Sequence, residues 1–254
     1  MNGLSNYSGG RVHFLDEFRG FLILFVVWYH LVYDLILFGM EWDWFFSPTM
    51  NNLRNLFVFL LIMISGISSH FSHSNMKRGL KTLAFAMVLT IATYIAMPSQ
   101  LIIFGILHFF GVAMILYGLL EKPLNKIPSG VGLVVSLLLF CITFDIYYGV
   151  LGIAGWGLTV QLPAFLYNQP LLFPLGFMCT GLTSADYYPL MPWLFAFLAG
   201  GFCGKSIKAG RLPAYFYRSH CKPLAAIGKH TLLIYILHQP IIYGTLLVMH
   251  NLFG

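Results

Sequence analysis

Seven apolar stretches, at 18–39, 54–70, 80–97, 101–120, 130–149, 190–204 and 230–250, dominate this chain. Crossing a bilayer core by helix takes about 20 apolar residues, with a range of roughly 17–25, and only 190–204 falls short of it. Charged residues make up 9% of the 254, and the mean hydropathy is +0.81; soluble domains run near about 25% charged. The chain is therefore expected to be an all-α, polytopic transmembrane helical bundle, read as one domain over 1–254. The short alternating segments of a membrane β-barrel are absent. The first run carries two acids and no A-x-A-like exit, so it reads as a retained first span and not as a signal peptide.

The stretch 150–188 is apolar but broken by Gly155, Gly157, Pro163, Pro170, Pro174 and Gly176. It reads as a broken or re-entrant segment, a re-entrant pair or two short helices, which brings the expected total to about 7–9 spans; irregular backbone at that depth needs protein or a watery cavity to satisfy it.

The cations alternate with the spans. Arg11 and Arg19 precede the first, Lys77, Arg78 and Lys81 follow the second, and Lys122 and Lys126 follow the fourth. Lys205, Lys208, Arg211, Arg218, Lys222 and Lys229 lie between the last two strong spans, leaving Arg54 alone on the other side among the 14 Lys and Arg. The positive-inside rule then puts the N-terminus in the cytoplasm and the C-terminus outside, and requires 150–188 to start and finish outside. It also accounts for most of the net charge of +6, so no nucleic-acid partner is implied. Cys141, Cys179, Cys203 and Cys221 are scattered without metal-ligand spacing and read as core filler. His70 and His73 in the first basic loop stand apart from other ligands, so no metal is expected. There is no Walker or Rossmann glycine pattern.

The first span, "LDEFRGFLILFVVWYHLVYDL" (15–35), carries Asp16, Glu17, Arg19, His30 and Asp34. Ionisable groups at membrane depth are costly and point to function. At 100° per residue, Arg19 and His30 lie three turns plus about 20° apart, and Asp16 and Asp34 fall in the same sector of about 60°; Glu17 falls off it. This polar seam must face the bundle interior or a cavity. A rise of 1.5 Å per residue puts His30 about 16 Å beyond Arg19. Asp34, one turn beyond His30, is placed to orient the imidazole and stabilise its charged form.

Further candidates are weaker. "FGILHFFG" puts His108 at a depth like that of His30, so the two could share a site. "GKHTLLIYILHQP" holds His238 and Gln239 beside Pro240, which frees a helical carbonyl that they or a substrate could use. "SADYYPLMPW" (184–193) combines Asp186 with Tyr187, Tyr188 and Trp193, a composition suited to stacking on and hydrogen-bonding a sugar, or to an interfacial aromatic belt. "SGISSHFSHSNMKRGLK" ends in a basic patch, Lys77, Arg78 and Lys81, suited to phosphates or to topology alone.

With these segments in this order, nearly the whole chain resembles the heparan-α-glucosaminide N-acetyltransferase catalytic-domain family in its short bacterial form. Arg19 and His30 also look like the R-x10-H signature of the related acyltransferase-three membrane proteins. The resemblance implies a bundle of transmembrane helices in the inner membrane of a prokaryote. It implies acetyl transfer from cytoplasmic acetyl-CoA, a co-substrate, to an amine or hydroxyl acceptor, often on a sugar, at the outer side. Joined to the helix geometry, it suggests that Arg19, fixed by Asp16, and Lys77 and Arg78 hold the CoA phosphates. His30 would then be the general base or acyl carrier, oriented by Asp34. His108 and Asp186 would hold the oxyanion or the acceptor, together with Trp193, His238 and Gln239. A second copy of the chain is a further candidate partner. Two rival readings stay open: a proton-coupled transporter of a small solute, and a non-catalytic membrane subunit.

Overall fold

The computed structural model describes residues 12–210 and 212–253. Arg11 and Arg211, two of the cations assigned to the cytoplasmic side, lie outside the described residues. The α-helices are His13–Leu37 (α1), Pro48–His70 (α2), Asn75–Ala96 (α3), Ile106–Lys126 (α4), Ser129–Thr143 (α5), Leu190–Lys208 (α6), Lys222–Lys229 (α7) and Thr231–Phe253 (α8). Seven segments are long and apolar enough to cross a membrane: all of these helices except α7, with α5 extended by its following turn to Tyr148. The chain is thus an all-α, polytopic membrane protein, apart from one small hairpin.

Burial is inverted relative to a soluble helix. The buried residues of α1 include Asp16, Glu17 and Asp34, while Phe21, Leu24, Trp28, Leu31 and Leu37 are exposed. His238 is the one buried residue of α8, whose Leu232, Leu233, Leu237 and Ile241 stand exposed. Apolar side chains face lipid at no cost, whereas polar ones need the protein interior.

The segment 150–188 forms neither a re-entrant helix pair nor two crossing helices. It opens as an antiparallel hairpin of Val150–Ile153 (β1) and Leu158–Gln161 (β2), with Ile153 opposite Leu158, and continues as short 3-10 turns at Ala164–Asn168 and Pro170–Leu175. The reason is local. Gly152, Gly157 and Gly176 take φ of 127°, 68° and 122°, a region that side-chain-bearing residues avoid. Pro170 and Pro174 tolerate only short turns. Lying between the end of α5 and the start of α6, this excursion contributes no helix long and apolar enough to count as a span.

The chain divides within α2 into two compact units. One joins the described residues of Met1–Ile64 and Ala209–Gly254, and so holds α1, most of α2, α7 and α8; the other is Ser65–Lys208. Within each, glycines let helices touch through backbone. A Cβ on Gly20 would stand 2.1 Å from the Leu224 carbonyl oxygen, and one on Gly228 would stand 1.8 Å from that of Asp16, so α1 and α7 meet at a pair of glycines. In the second unit, Gly66 meets the Phe197 carbonyl of α6 at 2.0 Å on the same test, and Gly79 of α3 meets the Gly111 carbonyl of α4 at 2.7 Å. Small residues at such crossings are the usual means of close packing between membrane helices.

Overpacking of this kind costs about 1–3 kcal/mol. Gly20→Ala should therefore lower the thermal unfolding midpoint of the detergent-solubilised protein by several degrees. Gly244→Ala, where an added methyl meets nothing within 4 Å, should leave the midpoint unchanged or raise it slightly.

Candidate active site

In the first unit the polar seam of α1 is met by α7 and α8. At its start, Arg19 Nη1 donates to Asp16 Oδ1 and to the Gly228 carbonyl, at 3.4 Å each. The contact with α7 is possible because Gly20 and Gly228 hold the two backbones together. A cation at the C-terminal end of α7 also complements the exposed carbonyls there.

Glu17, off the seam by helical phase, is buried and held through one oxygen. Its Oε1 accepts from Ser219 Oγ at 2.8 Å, His220 N–H at 2.6 Å and Cys221 N–H at 2.9 Å. These donors lie at the entry to α7, so one carboxylate oxygen fixes the turn that delivers that helix to α1. The sequence signal was the acid itself, unexplained inside an apolar run; its partners, some 200 positions away, left no trace in spacing.

Eleven residues beyond Arg19, His30 faces α8. Its Nδ1 lies 2.9 Å from the Val26 carbonyl. A carbonyl only accepts, so Nδ1 carries a proton, and in the neutral ring Nε2 keeps its lone pair. His238 repeats the arrangement: Nδ1 donates to the Tyr235 carbonyl at 2.6 Å, and Nε2 is buried with no partner. The two imidazoles meet edge to face with centroids 4.7 Å apart. Two histidines, each with Nε2 uncommitted to protein, therefore stand together at membrane depth.

The expected Asp34–His30 hydrogen bond is replaced by another. Asp34 is completely buried, and both of its oxygens accept from Gln239 Nε2, at 2.9 and 3.0 Å. An aspartate one turn from His30 on the same helix is held by the partner helix, because α8 brings an amide directly against it. Gln239 Oε1 is left buried and unpartnered. His238 and Gln239 are thus engaged with Tyr235 and Asp34, and not with the carbonyl that Pro240 frees.

Arg54, the cation that stood alone outside, lies six residues into α2. Nη1 approaches the Tyr29 hydroxyl at 3.5 Å, Nη2 approaches Asn55 Oδ1 at 3.3 Å, and Nε is buried without a partner. The Tyr29 ring in turn lies edge-on to that of His30, centroids 5.9 Å apart.

The remaining candidates belong to the second unit. His108 does not share the arrangement of His30. Its Nδ1 accepts from Gly105 N–H at 3.2 Å, and its Nε2–H faces Thr90 Oγ1 at 3.1 Å, whose own proton goes to the Ile102 carbonyl at 2.7 Å. Both ring nitrogens are used in holding the entry of α4. Asp186 works at the same place: Oδ2 accepts from Ile106 N–H at 2.9 Å, and Gly105 carries no Cβ that would strike that oxygen. It satisfies an orphan amide of the α4 N-terminus, as a capping carboxylate does. Trp193 is buried against Phe140 and Tyr188, so its faces are not open for stacking. Tyr187, between the spans, donates to the Phe173 carbonyl at 2.7 Å; burial, with Tyr147 and Tyr167 nearby, pushes its phenol well up, so it stays a donor. Lys77 and Arg78 are exposed in the first turn of α3, whose start is capped by Ser74. Among the described residues no cluster of His, Cys, Asp and Glu is arranged to hold a metal ion.

Seven apolar crossings and a histidine pair on two of them, half-buried His30 and buried His238, define a multi-pass membrane protein with a polar centre set inside the helices. A family model described as heparan-alpha-glucosaminide N-acetyltransferase, catalytic, matches residues 11–240, and the chain belongs to that family of membrane acetyltransferases. No curated protein and no solved structure is matched.

The Glu17 clasp yields a direct expectation. Hydrogen bonds to a charged group are worth about 1.5–3 kcal/mol each. Glu17→Ala should speed tryptic cleavage after Arg218 by about tenfold or more, with Glu17→Gln in between, measured by timed digestion in detergent.

Proposed function

We propose that this chain transfers an acetyl group from acetyl-CoA, held at the cytoplasmic side, to an amine or hydroxyl acceptor at the outer side of a prokaryotic inner membrane. The observation that carries the reading is the Nδ1–Val26 hydrogen bond of His30, which leaves Nε2 as the ring's free nitrogen beside the imidazole of His238.

In this reading Arg19, steadied by Asp16, takes the CoA phosphates, and Lys77 and Arg78 add positive charge on the cytoplasmic face. The pantetheine arm follows the seam over the rise of about 16 Å between Arg19 and His30. His30 Nε2 removes the proton from the acceptor as its nitrogen or oxygen attacks the thioester carbonyl carbon. The carbon–sulfur bond then breaks, the electron pair leaves with sulfur, and the proton on His30 passes to the departing thiolate. The same lone pair suits the two-step route, in which Nε2 first takes the acetyl group and then yields it to the acceptor. Gln239, held by Asp34, turns its free Oε1 toward the hydrogens of the acceptor. The sequence alternation of cations supports the orientation.

Detergent-purified protein should release free CoA thiol from acetyl-CoA in the presence of an amino sugar such as glucosamine, with the acetylated sugar seen by mass spectrometry. His30→Ala should cut this rate by about 10²-fold or more, in line with the usual worth of a general base, while still binding CoA. Arg19→Ala should raise the KM for acetyl-CoA. Full transfer by His30→Ala to its acceptor would rule the scheme out. A complete lack of CoA-dependent thermal stabilisation would favour the transporter instead.

A further inference from the structure

Arg54 stands out once the histidine pair is assigned. It is half-buried, and no carboxylate pairs with it among the described residues. Its two protein contacts are long and neutral: the Tyr29 hydroxyl at 3.5 Å and Asn55 Oδ1 at 3.3 Å. Its Nε–H is buried and unsatisfied. A guanidinium offers five donors in a planar fork, and burying it without a counter-charge is costly. Lipid-facing helices provide no reason to keep one here, and the rule that places cations in the cytoplasm disfavours it.

Its position supplies the reason. His30 lies seven residues before the end of α1, and Arg54 six residues after the start of α2. At 1.5 Å per residue both sit about 9–11 Å from the shared α1–α2 turn. The hydroxyl that Arg54 touches belongs to Tyr29, whose ring contacts that of His30. Near this centre stand two further buried polar atoms without partners, His238 Nε2 and Gln239 Oε1; His238 is itself 93% buried, being 7% exposed. The unsatisfied set comprises a cationic donor, a basic nitrogen and an amide oxygen. A molecule carrying an anionic group together with an N–H or O–H would answer all three.

We infer that Arg54, with the Tyr29 hydroxyl beside it, binds an anionic group, a phosphate or carboxylate, on the acceptor, so that this transferase selects acceptors bearing a negative charge next to the amine or hydroxyl to be acetylated. The inference rests on the proposed acetyl transfer. The anion can come from a water-soluble sugar phosphate or from a phospholipid headgroup, and the fork geometry suits both.

The test uses the purified full chain, acetyl-CoA and two matched acceptors, glucosamine and glucosamine 6-phosphate. The wild type should show a kcat/KM at least about tenfold higher for the phosphorylated sugar, the usual worth of one charge-assisted contact. Arg54→Gln should bring the ratio of the two close to one, and Arg54→Lys, which keeps the charge, should retain most of it. Vesicles with and without phosphatidylethanolamine separate the sources: acetylated lipid with no preference between the sugars assigns the site to the headgroup, provided Arg54→Gln abolishes lipid acetylation. No preference with either source, or a preference that survives Arg54→Gln, overturns the inference. If the wild type acetylates nothing, the transfer reading has failed, and the anion site is judged by thermal shift with glucosamine 6-phosphate against glucosamine. A phosphate-specific shift lost in Arg54→Gln and kept in Arg54→Lys supports the site; equal shifts, or none, refute it.

Discussion

Every polar atom that leaves water in this protein must find a partner inside it, because the surrounding lipid has none to give. That constraint organises both units. Glu17 gathers three donors onto one oxygen, Asp34 takes the Gln239 amide with both oxygens, and His108 commits both ring nitrogens. Where satisfaction is so general, the exceptions carry the information. The unpartnered atoms near α1, His238 Nε2, Gln239 Oε1 and Arg54 Nε, belong to residues that contact α1 side chains around His30.

The glycine contacts make those pairings possible. Gly20 and Gly228 bring the α1 and α7 backbones close enough for Arg19 to reach a main-chain carbonyl, and Glu17 fixes the turn leading into α7. From there α8 runs alongside α1 in the same direction, so that His238 and Gln239 arrive opposite His30 and Asp34. The site is built by backbone proximity first and side-chain chemistry second. This explains why residues separated by about 200 positions act as one group.

Three histidines divide into two kinds of chemistry according to the hydrogen bond that each makes at Nδ1. A main-chain carbonyl at Nδ1 leaves Nε2 of His30 and of His238 basic. A main-chain N–H at Nδ1 of His108 forces the proton to Nε2, where Thr90 receives it. Asp186, alike in the sequence to a sugar-binding acid, caps α4 beside His108. These two residues hold the entry of a helix whose first turn begins at Gly105.

The apolar runs by themselves determined the all-α, membrane-crossing class, the positions of the spans to within about six residues at each end, and the polar seam on α1. Hydrophobic length and a period of 100° per residue are local properties that no distant contact alters. The Gly and Pro content of 150–188 marked a broken segment, but whether its backbone pairs as a hairpin or coils depends on contacts that composition does not encode. Tertiary structure alone decided that Asp34 answers to Gln239 and not to His30, that Glu17 is a clasp and Asp186 a cap, and that Arg54 stands beside Tyr29. A hydrogen bond is a matter of ångströms between atoms on different helices, and sequence spacing constrains such distances only within one helix.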